Sequence, residues 1–309
     1  MSDSLIHSLA GAAGGIGAMT ATYPLIVLST RAAVETKREH KSLYQAVLDI
    51  IKREGVLGLY NGLNSSLMGI AVTNGAYYYF YERTRGIILS GRKGSKALST
   101  LESMLTGLIA GSATTLISNP IWVVQTSQAI QTMQSSSESA QGRPALQKLG
   151  TIQTIQQILR KDGLGAFWRG IGPALVLVIN PVIQYTVFEQ LKNFIIRSRT
   201  TKMRAAGMIT AVAVLSDWDF FFLGAVSKLF ATALTYPSSV VKSRLQSGAM
   251  KYKSSIDGLV TILEEEGLHG LYKGIESKLL QSVLTAAILF AGQRRIYETI
   301  KASIAGASR

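Results

Sequence analysis

The sequence is poor in the residue types from which most enzyme sites are built. It contains no cysteine, which excludes a disulfide framework, a thiolate metal site and a cysteine nucleophile. Its three histidines, His7, His40 and His269, are scattered and lack metal-ligand spacing. No Walker loop is present, so nothing indicates nucleotide hydrolysis. We therefore expect no catalytic residues, no bound cofactor and no metal.

Charge is also scarce, and acidic residues are the scarcest. Only 16% of the residues are charged, 47% are hydrophobic, and the mean hydropathy is +0.24. The net charge of +14 could attract nucleic acid, anionic lipid or an anionic substrate. The basic residues lie mostly between apolar segments, however, and form no single patch interleaved with aromatic residues. The composition therefore favours a protein of the lipid bilayer and argues against nucleic acid as a partner.

Long runs without charged residues occur in pairs along the chain. Four runs contain no Asp, Glu, Lys or Arg, and they approach or exceed the roughly 20 residues that cross a bilayer: 4–30, 55–81, 103–137 and 170–188. A fifth run, 220–241, is interrupted only by Lys228, and a sixth follows Glu276. Amphipathic stretches near 43–51, 149–159 and 256–263 predict surface helices. The polar stretches 82–102, 134–147 and 197–204 are predicted to be a loop, an insertion and a linker.

Three prolines divide the chain into similar thirds. Each of Pro24, Pro120 and Pro237 lies in the first apolar run of its third, where proline kinks or ends a helix. A repeat of this kind decides the fold class. The sequence predicts an all-α membrane protein with six transmembrane helices in three pseudo-symmetric two-helix repeats, each with a short surface helix. The predicted repeats are 1–95, 96–205 and 206–309, within one transmembrane domain.

A second motif follows each proline after the surface helix. It consists of an acidic residue, a glycine, an aromatic residue and a second glycine: Glu54-Gly55…Tyr60…Gly62, Asp162-Gly163…Trp168-Arg169-Gly170 and Glu266-Gly267…Tyr272-Lys273-Gly274. With the prolines, these motifs resemble the mitochondrial carrier (solute carrier) family over essentially the whole chain. Asn119 to Val124 and Val178 to Gln184 resemble most closely the peroxisomal adenine nucleotide carriers of fungi. Folate, flavin and pyridine-nucleotide carriers share the element around Asn119.

The proline motif departs from the family pattern. In the family, an acid two residues after the proline and bases five and seven residues after it form a ring of ion pairs that closes one face of the pore. Here the three acid positions hold Ile26, Trp122 and Ser239. The first base positions hold Ser29, Gln125 and Lys242. The second base positions hold Arg31, Ser127 and Arg244. Because the ring has no acid, we expect closure through packing or hydrogen bonds of residues such as Trp122 and Gln125.

The other face of the pore is marked in the family by an aromatic-acid pair with a base three residues later. Tyr81-Glu82…Arg85 and Phe188-Glu189…Lys192 match this pattern, whereas Arg294 stands where the third repeat would have its acid. The resemblance implies a gate network of Glu82, Arg85, Glu189 and Lys192, with Lys242 contributing on the proline face. Simple interfacial charge at helix ends is the alternative.

Charges within apolar segments are candidate substrate ligands, because a charge inside a membrane is costly. Lys228 and Lys278 could bind phosphate groups, and Glu276 could orient Lys278 or bind a base amine. Alternatively, Glu276 and Lys278 lie at the water boundary. In the family, substrate contacts lie about seven residues past the second motif glycine and one or two turns further on. Here these positions are Gly69, Thr73, Tyr77, Leu177, Asn180, Gln184 and Gln281, with Val176 as the alternative to Leu177 because the second unit is one residue shorter.

The resemblance implies a multi-pass transporter of the peroxisomal membrane that works as a monomer by alternating access. Its expected substrates are ATP exchanged for AMP or ADP, or the related cofactors CoA, FAD and NAD. Two alternatives remain open. One is a mitochondrial inner-membrane carrier for NAD, FAD, CoA or folate, and the other is a membrane scaffold that transports nothing.

Overall fold

The computed structural model describes residues 3–35, 42–90, 97–139, 149–205, 213–248, 252, 254–285 and 288. These residues form helices joined by short turns. Repeat 1 contains α1 (Asp3–Val34), α2 (Leu43–Glu54) and α3 (Leu63–Ser90); repeat 2 contains α4 (Thr100–Ser139), α5 (Thr151–Asp162), α6 (Ile171–Leu177) and α7 (Asn180–Ala205); repeat 3 contains α8 (Asp217–Ser247), α9 (Ser255–Leu271) and α10 (275–285). Two 3₁₀ turns, Val56–Tyr60 and Leu164–Trp168, follow α2 and α5.

The surface helices lie where the sequence predicts them, and each buries a large apolar side chain: Ile50, Ile158 and Ile262. At the start of α2, the Ser42 hydroxyl accepts a hydrogen bond from the Gln45 amide, and the Gln45 side chain accepts one from the Ser42 amide. This reciprocal cap satisfies two amides that would otherwise lack partners. Ile50 of the same helix packs with Leu28 and Leu59, so α2 is held against α1 and the following turn.

The three motif prolines lie inside their helices. Pro24, Pro120 and Pro237 are within α1, α4 and α8, and each helix continues well beyond its proline. Of the two outcomes expected for these prolines, ending the helix is therefore wrong, and a kink stays a prediction. The helices continue because a proline removes only one amide donor from the ladder.

Three stretches predicted to be loops or linkers are helical over most of the residues that the structure describes, with 97–99 as the exception. Helix α3 extends to Ser90, α4 to Ser139 and α7 to Ala205. The polarity of these stretches marks the end of the apolar run, not the end of the helix. Near the end of α7, Arg199 forms a bidentate ion pair with Asp219 of α8, with both hydrogen bonds 2.6 Å long.

The break in the fourth apolar run lies at one of its two prolines only. Pro173 is in the first turn of α6, where a missing amide hydrogen costs nothing. The chain leaves α6 after Leu177 and re-enters a helix at Asn180, next to Pro181.

The residue before each proline anchors its helix to the second motif of the same repeat. Each donates a side-chain hydrogen bond to the carbonyl just before the second motif glycine: Tyr23 to Asn61 (3.0 Å), Asn119 to Arg169 (3.1 Å) and Tyr236 to Lys273 (3.0 Å). The repeats are therefore equivalent in structure as well as in sequence.

The second motif glycines join the repeats into a closed ring. All three have positive φ angles, and a Cβ atom on each would lie close to a carbonyl oxygen in the following repeat: Gly62 to Gln125 (3.1 Å), Gly170 to Lys242 (3.0 Å) and Gly274 to Ser29 (2.7 Å). Repeat 1 thus abuts repeat 2, repeat 2 abuts repeat 3, and repeat 3 returns to repeat 1. Only glycine allows this approach.

We expect Gly274→Ala to destabilise the protein more than Gly267→Ala. Both glycines have positive φ, so alanine carries a backbone cost of about 1–3 kcal/mol at either position. At Gly267 the new Cβ meets nothing within 4 Å, whereas at Gly274 it would displace the backbone of α1. Thermal unfolding of the purified variants measures the difference. Equal losses of Tm would show that this inter-repeat contact contributes nothing.

Candidate functional site

Two buried arginines tie the proline-bearing helices together at one face of the molecule. The Nε atom of Arg31 on α1 donates to the carbonyl of Ala129 on α4, and Nε of Arg244 on α8 donates to the carbonyl of Ala33 on α1. Both hydrogen bonds are 2.8 Å long. The arginines occupy the same position of the proline motif, so the two contacts are related by the threefold repeat.

The third junction, between α4 and α8, uses amides and a hydroxyl instead. Ser127 stands where the other repeats have arginine and is too short to make the same bond. The Gln246 amide donates to the Asn119 side chain (3.0 Å), and the Thr126 hydroxyl donates to Gln246 (3.3 Å). Neutral hydrogen bonds thus complete the ring of three junctions.

The expected hydrogen-bonded closure of this face is confirmed for Gln125. Its amide donates to the Tyr23 hydroxyl (3.3 Å) and so joins α4 to α1. The Trp122 indole instead donates to the Thr73 hydroxyl of α3 (3.2 Å). Trp122 therefore fixes α4 to the adjacent helix rather than to another proline-bearing helix.

The acidic residue of each second motif is paired with a nearby base. Arg31 forms a bidentate pair with Glu54, and Arg244 forms one with Glu266. In repeat 2, where position seven has no arginine, Arg169 pairs with Asp162 instead.

The pKa of the Glu266 carboxyl shows how strongly these pairs stabilise the ionised form of the acid. Burial raises its pKa, but hydrogen bonds from Arg244 and Lys273 outweigh burial and leave that pKa below its usual value. Glu266 is therefore ionised at neutral pH. The arginines of the proline motif thus bind acids of the surface motif, whereas Lys242 has no such partner among the residues that the structure describes.

At the opposite face, the predicted gate residues pair only within their own helices. Arg85 contacts Glu82 (3.2 Å) on α3, and Lys192 contacts Glu189 (2.5 Å) on α7. No hydrogen bond or ion pair joins the two pairs to each other in the ranges that the structure describes. The gate network therefore stays a prediction, with simple interfacial charge as its alternative. Arg294 lies outside the described residues.

A cavity of about 750 Å³ occupies the space between α3, α4, α6 and α7 and reaches Lys242 of α8. One end is lined by Leu98 and Thr100, near the face of the intrahelical pairs. The other end is lined by Trp122 and Lys242, next to the closed proline face. The cavity thus extends from the face of the intrahelical pairs to a cation next to the closed proline face.

A smaller chamber of about 150 Å³ lies next to the end of the cavity that Trp122 and Lys242 line, among the proline-bearing helices. Trp122 and Lys242 line both spaces and separate them. The chamber is lined by all six residues at the ring positions two and five after each proline: Ile26, Ser29, Trp122, Gln125, Ser239 and Lys242. Lys278 of α10 lines it as well. No aspartate or glutamate lines either space in the described parts of the chain.

Comparison with known proteins identifies the family to which this architecture belongs. The family model described as mitochondrial carrier protein matches the sequence three times, over residues 2–92, 96–199 and 214–307. The chain belongs to the mitochondrial carrier family. The carrier is 36% identical to the peroxisomal nicotinamide adenine dinucleotide carrier of Arabidopsis thaliana, in a match that covers all of this chain and 99% of the relative.

Other relatives carry related names. A peroxisomal membrane protein of Mus musculus is 33% identical over 97% of this chain and 94% of its own length. The peroxisomal adenine nucleotide transporter 1 of Saccharomyces cerevisiae is 29% identical over 96% of this chain and 93% of its own length. Members of the family are transporters, in keeping with a sequence that offers no catalytic constellation.

The predicted fold class is confirmed: the carrier is all-helical in its described residues and has the family's six transmembrane helices with short surface helices. Three segments are by themselves long and apolar enough to cross a membrane, namely Thr100–Gln131, Leu164–Ala205 and Trp218–Ser247. Helices α1 and α3, with 32 and 28 residues, are long enough to cross as well, and the structure describes residues 275–285 of the sixth helix.

Four of the predicted site residues line the large cavity of the carrier. Thr73 and Tyr77 of α3, Leu177 of α6 and Lys242 of α8 face this space. Lys242 was expected in the gate, and the structure shows that it reaches the cavity as well. Gly69 lies just outside, where a Cβ would be 3.4 Å from the Trp122 ring, so it makes room for that side chain.

The remaining predicted residues are not brought into the cavity. The Asn180 amide donates to the Ala231 carbonyl and the Thr235 hydroxyl of α8, so its donors hold two helices together. Gln281 donates to Thr285 on its own helix. Lys278 lines the inner chamber only, and Gln184, Lys228 and Glu276 line neither space.

Glu276 does not orient Lys278 in this structure. Its side chain is exposed, and no hydrogen bond or ion pair joins it to Lys278 in the described part of the carrier. Residues i and i+2 point to different sides of a helix, which explains the separation. The water-boundary alternative fits Glu276, whereas Lys278 faces the interior chamber.

Sequence reasoning missed two aromatic residues of the site. Tyr81 and Tyr185 line the cavity together with the predicted Tyr77, and the Tyr77 and Tyr81 rings stack with centroids 5.9 Å apart. The four-residue spacing of Tyr77 and Tyr81 was a signal for one helix face. Tyr185 follows the predicted Gln184 by one residue. Leu177, Pro181 and Tyr185 line the cavity at four-residue spacing, so the predicted Asn180 and Gln184 were each counted one residue too early.

Proposed function

We propose that this carrier moves nucleotides across the peroxisomal membrane, and that it exchanges ATP for AMP or ADP by alternating access. The names of its relatives support both the compartment and the class of substrate. The two repeat boundaries, at 95/96 and 205/206, and a monomeric working unit belong to the same proposal.

The large cavity is the observation that carries the proposal. Its volume of about 750 Å³ lies within the range of small-molecule sites. Tyr77, Tyr81 and Tyr185 offer aromatic faces against which an adenine ring can stack. Lys242 ends the cavity with a cation, which suits the phosphate end of the same molecule.

The structure also has the asymmetry that alternating access requires. The proline face is closed by arginine and amide hydrogen bonds, while at the other face the pairs at Glu82 and Glu189 are not linked to each other within the described residues. In the proposed cycle, substrate entering from the unlinked face reaches Lys242, and the proline face then opens. The intrahelical pairs could exchange partners to close the first face.

A dinucleotide is the second candidate cargo. The 36% identity to the Arabidopsis NAD carrier favours it, and NAD contains the adenine ring and phosphates that the cavity suits. FAD and CoA share these groups. Adenine nucleotides and NAD are therefore distinguished by transport measurements rather than by chemistry at Lys242 alone.

The test is exchange in reconstituted liposomes. Vesicles loaded with AMP, ADP, NAD, CoA or buffer alone are challenged with labelled ATP or labelled NAD. We expect rapid uptake of labelled ATP only into vesicles that contain AMP or ADP. Faster NAD exchange would favour the second candidate. Absence of uptake with every pair would refute the transporter and leave the scaffold alternative.

A further inference from the structure

The inner chamber contains two lysines that no acidic side chain balances. Lys242 and Lys278 both line it, and their ammonium groups make no hydrogen bond or ion pair in the described portion of the chain. They lie close enough to interact electrostatically, and Lys278 also interacts with Lys228. Like charges gathered inside a membrane domain are unfavourable without a counter-charge.

Hydroxyl groups surround these lysines and are available as donors. Thr30, Ser239 and Ser243 line the chamber, and their hydroxyls make no hydrogen bond to any other described residue. A site formed by ammonium and hydroxyl donors without carboxylates suits a phosphate-type oxyanion. The volume of about 150 Å³ has room for one such group but not for a nucleoside.

The missing carboxylates of the proline motif explain why this anion matters. Ile26, Trp122 and Ser239 stand at the positions where an acid would otherwise face the lysines across the closed face. We propose that the inner chamber binds a phosphate-class oxyanion between Lys242 and Lys278, and that this anion supplies the counter-charge that the closed proline face lacks.

The anion has two sources with the same chemistry. It could be free inorganic phosphate, or the terminal phosphate of a nucleotide held in the large cavity, since Lys242 lines both spaces. The inference concerns the closed face and stands whether or not nucleotides are the cargo. It is therefore tested by binding to the purified carrier, without transport.

The experiment measures Tm in detergent with inorganic phosphate, AMP or ATP, against chloride at equal ionic strength. A ligand at about 100 times its Kd should raise Tm by on the order of 5 °C. Lys278→Gln should abolish the shift, because this lysine lines only the inner chamber. Lys161→Gln, which removes the same charge from the exposed end of α5, should retain it.

A second variant supplies the missing acid directly. Ser239→Asp places a carboxylate in the chamber, so we expect this variant without phosphate to be as stable as the parent with phosphate, and to gain nothing from phosphate. A Lys278-dependent shift with inorganic phosphate identifies the free ion, and one with ATP but not with phosphate or AMP identifies the terminal phosphate. If no ligand gives a Lys278-dependent shift, or if Ser239→Asp keeps the full shift, the inference is wrong.

Discussion

Replacing Arg244 with glutamine should lower the Tm of the purified carrier by on the order of 10 °C. Arg244 is fully buried, forms a bidentate ion pair with Glu266 and donates from Nε to the Ala33 carbonyl. Breaking a buried pair by removing one partner costs about 3–5 kcal/mol, because the other charge stays buried. Lys273 remains beside Glu266 and limits the loss. Thermal unfolding in detergent measures it.

Arg199→Gln is the matched control for this variant. Arg199 also forms a bidentate pair, with Asp219, but 46% of its side chain is exposed, compared with 0% for Arg244. Exposed pairs contribute about 0–1 kcal/mol, so Tm should change by only a few degrees at most. Similar losses in the two variants would show that burial does not determine the strength of these pairs, and would contradict the role given to Arg244.

The threefold architecture was predictable because its determinants recur in the sequence. The prolines, the acidic-glycine motifs and the apolar runs each appear three times, and the surface helices follow from hydrophobic periodicity. The contacts that close the ring were not visible. The sequence alone does not show that Gly274 approaches the Ser29 carbonyl of the first repeat, because that contact depends on how helices distant in the sequence pack.

The site was predicted less well, for a geometric reason. Counting from a glycine gives the depth of a residue along a helix but not the direction of its side chain. On α3 the helix is continuous, and the predicted Thr73 and Tyr77 both line the cavity. In repeat 2 the cavity is lined by Leu177, Pro181 and Tyr185, which keep the spacing seen on α3, so the count placed Asn180 and Gln184 one residue too early. One residue turns a helical side chain by about 100°, and Asn180 contacts α8 instead.

The motif position of Lys242 predicted only part of its surroundings. Its place in the proline motif suggested a gate residue. In the structure Lys242 lines the large cavity as well as the inner chamber. In a family member with a complete acid ring, a carboxylate would face this position. Without that carboxylate, the ammonium group is available to an anion arriving from the cavity.

Lys242→Gln should therefore reduce the transport efficiency for ATP by about 100-fold, which corresponds to about 2.7 kcal/mol. Leaving a phosphate without its cation in a partly desolvated site has a cost of this size. Lys242→Arg keeps the charge and should retain most of the activity. Initial rates of labelled ATP uptake into vesicles loaded with ADP, measured over a range of ATP concentrations, give the efficiency.

The surface variant Lys161→Gln serves as the control, since it removes a positive charge without touching either cavity. It should transport at the parent rate, and the amount of each variant inserted into the vesicles must be measured to normalise the rates. A normally inserted Lys242→Gln carrier with unchanged efficiency would exclude Lys242 as a phosphate ligand. The cation at the cavity floor would then act only in closing the proline face, and substrate charge would have to be met at the intrahelical pairs of the opposite face.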